Sequence, residues 1–244
     1  MPVRGRLPEL FLGLLSIGVA VVLTAKIFAG TIHDARHTRD TISVTGSARK
    51  PIDSDLVRWS LTVRHEARDA ATAARRLRGQ VTAVRTFLEQ AGIPSAAISP
   101  EVVQSEEVVV QLPHHRRRVS YRVSQGLDVS TRKLNVMERV ATTVGQLIAR
   151  GIDVSAGQPA YISTELTQAK LRALAAATAD ARRRAQILVE GLGDKLGPMR
   201  RTQLGVYQIT PRDSTEISDY GINDTSSREK DVNAVVTATF AVKR

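Results

Sequence analysis

The 244-residue chain contains no cysteine. That excludes disulfides, thiol nucleophiles and thiolate metal sites, so packing and subunit contacts must supply stability even in an oxidising compartment. Aromatic residues make up 4% of the chain, with a single tryptophan, Trp59. Stacking platforms for single-stranded nucleic acid are therefore scarce, and no nucleic-acid partner is expected. No phosphate-binding P-loop, GxGxxG, GxSxG, HExxH or EF-hand pattern occurs. Gly191-Leu192-Gly193 follows a helical pattern instead of a strand and reads as a helix stop. Acidic residues are scattered, and the closest clusters, Asp53 with Asp55 and Glu106 with Glu107, fall at a turn and along a strand. The sequence thus presents no catalytic, cofactor-binding or metal constellation, and the expectation is a non-enzymatic protein. His33 and His37 stand four apart but have no third ligand nearby and read as a solvated pair.

Charge is present in excess of one sign. The net charge is +11 at pH 7. Two runs carry part of it, Arg116-Arg117-Arg118 and Arg182-Arg183-Arg184. These six are the candidate contacts for an anionic lipid, polymer or protein partner. Three consecutive arginines on a helix fan over roughly 200° and cannot all be buried.

One long uncharged stretch is also present. Leu10 to Ala25 carries no charge, Lys26 follows, and apolar residues continue to Ile32. As a helix, the uncharged core is ~24 Å long and the whole stretch ~34 Å, against a hydrocarbon thickness of ~30 Å. Residues 10–32 are therefore expected to be a single transmembrane anchor, after a short tail at 1–9 and before a linker at 33–40. The rival reading is a signal peptide with Arg4 and Arg6 as its basic head. The run exceeds the usual ~7–15 apolar residues, and bulky Ile27 or Phe28 occupies the position three back from a cut after Ala29 or Gly30. Basic residues flank the segment on both sides, so charge leaves its orientation open.

The remainder, 41–244, alternates strand and helix signals. Thr41–Gly46 and Leu56–His65 have period-2 alternation, separated by a turn around Pro51, Asp53 and Ser54. Trp59 shares the apolar face with Val57, Leu61 and Val63 and is expected in the core. A helix over Asp69–Ala91 has the stripe Ala70, Ala74, Leu77, Val81, Val84 and Leu88, stopped by Gly92 and Pro94. Val102–Gln111 and Arg118–Thr131 read as a strand pair around a tip at Leu112–Arg117. A helix over Leu134–Arg150 has Leu134, Met137, Ala141, Val144 and Ile148 on its stripe. After a strand at Ala160–Leu166 comes the longest helix, Thr167–Leu192, with the stripe Leu171, Leu174, Thr178, Ala181, Ala185, Leu188 and Leu192. Met199–Thr210 and Val232–Val242 are the last strands. The polar stretch Pro211–Asp231 between them is expected to be a mobile loop or to order on assembly. The fold class is α+β, an antiparallel or mixed sheet with about three packed helices.

Several of these segments carry a family resemblance. Ile42-Ser43-Val44-Thr45-Gly46-Ser47-Ala48, Pro51, Asp55-Leu56-Val57, Trp59-Ser60-Leu61-Thr62-Val63, Ala179-Asp180-Ala181-Arg182-Arg183-Arg184-Ala185, Leu192-Gly193, Leu196-Gly197 and the closing strand Val235–Val242 resemble the SIMPL-domain family of bacterial envelope proteins, relatives of the oxidative-stress-defence-like periplasmic proteins. The resemblance spans about residues 40–244 and its motifs are structural. It implies export, no known catalytic residues and, in some members, ring-like homo-oligomers. It places the anchor in a bacterial inner membrane, with the N-terminus inside and the bulk domain in the periplasm. Cleavage to a free periplasmic protein is the alternative. The expected role is a homo-oligomeric assembly, scaffolding or stress-protective. The alternative is a binding module whose basic face captures an anionic partner.

Overall fold

A computed structural model describes residues 40–113 and 116–243. The expected tail, anchor and all but the last residue of the linker lie outside the described residues, as do His114 and His115 at the hairpin tip. Among the described residues, no helix is long and apolar enough to cross a membrane.

The fold is α+β, with ten strands in two five-stranded sheets among the described residues. The strands are β1 (Thr41–Asp53), β2 (Leu56–Ala67), β3 (Ile98–Leu112), β4 (Arg116–Thr131), β5 (Asp153–Ala156), β6 (Ala160–Ile162), β7 (Lys195–Leu204), β8 (Gln208–Pro211), β9 (Ile222–Asn223) and β10 (Glu229–Lys243). The helices are α1 (Ala70–Gln90), α2 (Leu134–Thr143), the short α3 (Gly145–Ala149) and α4 (Leu166–Glu190). One sheet runs β1-β10-β8-β9, with β7 also on β10; the other runs β3-β4-β2-β5, with β6 also on β2.

The chain divides into two compact units. The terminal unit takes residues up to Ala48, Leu174–Gly205 and Val235–Arg244; the central unit takes Arg49–Ala173 and Val206–Ala234. Each has its own packing logic.

In the central unit, β2 alternates as its sequence demands. Val57, Trp59, Leu61 and Val63 are buried, while Arg58 and Ser60 face out. The Trp59 indole N–H donates to the Gly157 carbonyl at 2.7 Å, so the one tryptophan is satisfied in the core. Helix α1 covers this face with Ala73, Leu77, Val81, Val84 and Leu88. Each large aliphatic side chain so buried stabilises by ~1.5–3 kcal/mol. Asp69 caps its start by accepting the Thr72 amide at 2.8 Å, and Gly92 ends it at φ +101°. Leu134, Met137 and Val140 of α2 and Leu147 of α3 complete the same core.

In the terminal unit, α4 lies against β1 through small residues. A β-carbon at Gly46 would sit 2.3 Å from both the Ala177 carbonyl oxygen and the Ala181 nitrogen. Backbone approach this close needs glycine on the strand and alanine on the helix. Val44, Ala181, Ala185, Ala238 and Phe240 form the cluster at this contact.

Several expected elements differ in extent. Strand β1 continues through Pro51 to Asp53, where a turn was expected. It ends its sheet's strand order, and a terminal strand tolerates a residue without an N–H. The helix expected over 134–150 is two helices broken at Val144. The Thr143 hydroxyl donates to the Arg139 and Val140 carbonyls at the break, and Gly145 follows. In α4 the buried stripe is Ala169, Ala173, Ala177, Ala181, Ala185 and Val189, whereas Leu171 and Leu188, and Leu192 just beyond the helix, are exposed. The segment 211–231 contains β9, and its end, from Glu229, belongs to β10.

Candidate functional site

The six arginines singled out in the sequence fall on two elements in two different units. Arg116–Arg118 open β4 in the central unit; Arg182–Arg184 lie midway along α4 in the terminal unit. On α4 all three are exposed, but they are not equivalent. The Arg184 guanidinium donates to Asp180 at 2.8 Å, and the same carboxylate oxygen accepts the Ser47 amide at 3.0 Å. The Ser47 amide, aided by Arg184, holds the Asp180 carboxyl below its ordinary range. Arg184 therefore braces the junction of α4 with β1, whereas Arg182 and Arg183 make no ion pair among the described residues.

The β4 run is part of a larger surface, the β3–β4 hairpin. The two strands pair antiparallel from Ile98 opposite Val129 to Leu112 opposite Arg116, with one register shift between Pro100 and Val103. Strand β3 lies at the end of its sheet's order, so its outer edge is uncovered among the described residues. Almost all its side chains are exposed, including Val102 at 83% and Val103 at 50%. Val109, Leu112 and, on β4, Val119 add further exposed apolar surface.

At the base of the hairpin arm a groove of about 640 Å³ gathers Arg117 and Arg118 with Arg68, from the end of β2, beside apolar Leu112 and Val119. Glu66 is the one carboxylate on its wall and is already committed. The Ser120 hydroxyl donates to it at 2.6 Å and Arg122 at 3.0 Å. The Ser120 hydrogen bond, then Arg122, keep its carboxyl below the ordinary range. Arg122 also donates to Glu106 at 2.8 Å, tying β3, β4 and β2 together. The groove therefore offers three guanidinium groups and apolar contact to an anion. Sequence reading missed Arg68 because it lies 49 positions from Arg117. Only the register of β2 on β4, Ala67 opposite Tyr121, brings them to one place.

A second unanticipated feature of the central unit is a buried ion pair. Lys230 is 2% exposed and its ammonium donates to both the backbone carbonyl and the Oδ2 of Asp224, the latter at 3.3 Å. Burial pushes the Asp224 carboxyl up, but hydrogen bonds from the Ser226 and Ser227 hydroxyls outweigh it and hold the group far below its usual range. Burial pushes the Lys230 ammonium down against the pull of Asp224. The pair borders a cavity of about 190 Å³ floored by Ile52, Leu166 and Ile209. Its chemistry is that of a latch. It fastens the β9–β10 connection to the strand that follows. No charge pattern in the sequence distinguishes this lysine from the other basic residues. Among the described residues, no group of three histidines and carboxylates could hold a metal ion.

The SIMPL family model, described as a protein of unknown function (DUF541), matches residues 42–240. The chain belongs to the SIMPL family. No curated protein matches it. In this SIMPL chain the residues that carried the resemblance hold packing positions. Gly46 receives α4, Asp180 bridges to Ser47, and Trp59 closes on Gly157. Asp55 accepts the Thr164 hydroxyl and amide at 2.6 and 2.7 Å and Arg132 at 2.8 Å. These roles are architectural.

Proposed function

We propose that this protein is a non-enzymatic, membrane-anchored envelope protein whose domain self-associates, with a scaffolding or stress-protective role. The uncharged run Leu10–Ala25 supports the anchor, by its length against a bilayer. Membership of the SIMPL family supports an envelope location, with the bulk domain on the periplasmic side of a bacterial inner membrane. The observation that carries self-association is the β3 edge. Fifteen residues long and bearing exposed valines, it has an outer row of backbone donors and acceptors that no strand pairs among the described residues. Natural sheets protect such edges with charge, proline or a bulge. Pro100 and the register shift protect the start of β3, and Glu106 and Glu107 put charge at its middle. From Val108 to Leu112 the strand has no charge. Two copies that pair β3 with β3 antiparallel about a two-fold axis would complete each other's ladder.

The test is the double variant Val103→Lys/Val109→Lys, which adds two positive charges to the β3 edge of each copy. The expected result is a drop in the mass of the full-length protein in mild detergent, with an unchanged circular dichroism spectrum. An unchanged oligomer mass would remove β3 from the interface.

A second reading is favoured by the convergence of Arg68, Arg117 and Arg118 on one groove. There the domain captures an anionic lipid, polymer or protein. Binding that weakens steeply with salt and is lost on Arg117→Gln/Arg118→Gln supports it.

A further inference from the structure

A helix N-terminus favours negative charge, because its first amides are unpaired and its dipole is positive there. The start of α2 presents the opposite. Its N-cap is Lys133, which makes no side-chain cap, and its first turn holds no acidic residue. The Val136 and Met137 amides both donate to the Lys133 carbonyl, at 3.1 and 3.0 Å, whereas those of Leu134 and Asn135 have no acceptor among the described residues. Two further cations stand at the same end. Arg132 precedes Lys133 in sequence. Arg228 is brought in by donating to the side-chain Oδ1 of Asn135 at 2.6 Å. The three cations line one groove of about 560 Å³.

Ser54 is also on its wall. It is 5% exposed and its hydroxyl has no hydrogen-bond partner. An unpartnered buried hydroxyl is unfavourable, so a ligand that accepts from it removes a real cost. The Ser54 amide donates to the Arg228 carbonyl at 2.8 Å, which fixes serine and arginine side by side. Asp55 is the one carboxylate on the wall, and Thr164 and Arg132 already occupy it. Glu138 stands 4.0 Å from Arg228, at the limit of an ion pair.

We propose that this groove binds a phosphoryl group, presented by a soluble phosphate ester or by a lipid headgroup. The Lys133 ammonium donates to the Gly92 carbonyl at 3.1 Å and keeps two further N–H groups. With the unpaired amides, the unpartnered hydroxyl and two guanidiniums it supplies donors from several directions. A tetrahedral dianion with three free oxygens accepts more of these than a planar carboxylate does. The site shares no residue with the Arg68–Arg117–Arg118 groove and stands whether or not the domain self-associates.

The test is calorimetric titration of the full-length protein in a maltoside detergent with inorganic phosphate, glycerol 3-phosphate and dihexanoyl phosphatidic acid, with acetate as the carboxylate control. One saturable phosphate site per chain is expected, with acetate at least tenfold weaker. Ser54→Ala and Arg228→Gln should each weaken binding about tenfold, the loss of one charge-assisted hydrogen bond. Ser54→Ala removes only an unpartnered hydroxyl, so its melting temperature without ligand should not fall. Its loss of affinity is then not a folding defect. Arg117→Gln/Arg118→Gln should bind phosphate as the parent does. Tighter binding of phosphatidic acid than of glycerol 3-phosphate assigns the lipid source, and equal binding assigns the soluble ester. No saturable phosphate binding, acetate binding as tight as phosphate, or affinity unchanged in both site variants overturns the proposal.

Discussion

At Gly46 there is no room for a side chain, because the backbone of α4 occupies the space a β-carbon would need. Gly46→Ala must push the helix away, and overpacking of this kind is unfavourable by ~1–3 kcal/mol. The expected outcome is a melting temperature lower by several degrees, read by circular dichroism; an unchanged value would mean that α4 does not bear on β1 there. The Lys230–Asp224 pair makes a second statement at this scale. Asp224→Asn leaves a nearly inaccessible ammonium without its counter-charge and should destabilise by ~3–5 kcal/mol, whereas Asp224→Asn/Lys230→Met removes both charges and should recover most of that loss. Chemical denaturation of the two variants separates them. Equal losses would mean that the lysine finds another acceptor and that the latch is not specific to Asp224.

At the scale of elements, the exposed face of α4 is the informative one. Leucine and isoleucine at 171, 187 and 188 point outward, and alanines at 169, 173, 177, 181 and 185 point inward. Ala185→Leu should lower stability by ~1–3 kcal/mol, while Leu188→Ser should stay within ~0.5 kcal/mol. Thermal unfolding of both checks this inversion of size and burial. The same helix shows where sequence reading succeeds and where it stops. Its length and its residues Ala181 and Ala185 were legible from the periodicity. The burial of alanines in place of leucines was not, because it depends on how closely the backbone of β1 approaches through Gly46. Likewise the buried face of β2 was legible from its alternation, and α1 from Leu77 onward, whereas in its first turns Ala73 is buried where Ala70 and Ala74 were expected. β5 was not: its four residues pair with Leu61–Arg64 and are too few to show a period. The passage of β1 through Pro51 depends on the strand's place at the end of its sheet, which periodicity does not encode. The basic run at 116–118 was legible as charge. Its junction with Arg68 required the β2–β4 register.

For the molecule as a whole, acid should be the weak side. Asp55, Glu66, Asp69, Asp180 and Asp224 all have carboxyl groups held below their ordinary values in the folded state. A depressed folded pKa contributes stability above the unfolded value, near 3.8 for aspartate and 4.5 for glutamate, and that stability fades as pH falls below it. Stability should therefore be level through the mildly acidic range and decline below about pH 4.5. A denaturation series against pH checks this, and a maximum below pH 4 would contradict it. Lys230 acts in the opposite direction. Its depressed pKa means that the folded state bears a buried charge, a cost relieved only as pH rises toward the unfolded value of 10.5.

Self-association of the domain is the central claim, and one measurement addresses it most directly. Light scattering on a sizing column, applied to the full-length protein in mild detergent, gives the mass of the protein component. A discrete multiple of the 26.6 kDa chain, stable on dilution, is the expected result. A single-chain mass at every concentration would contradict it.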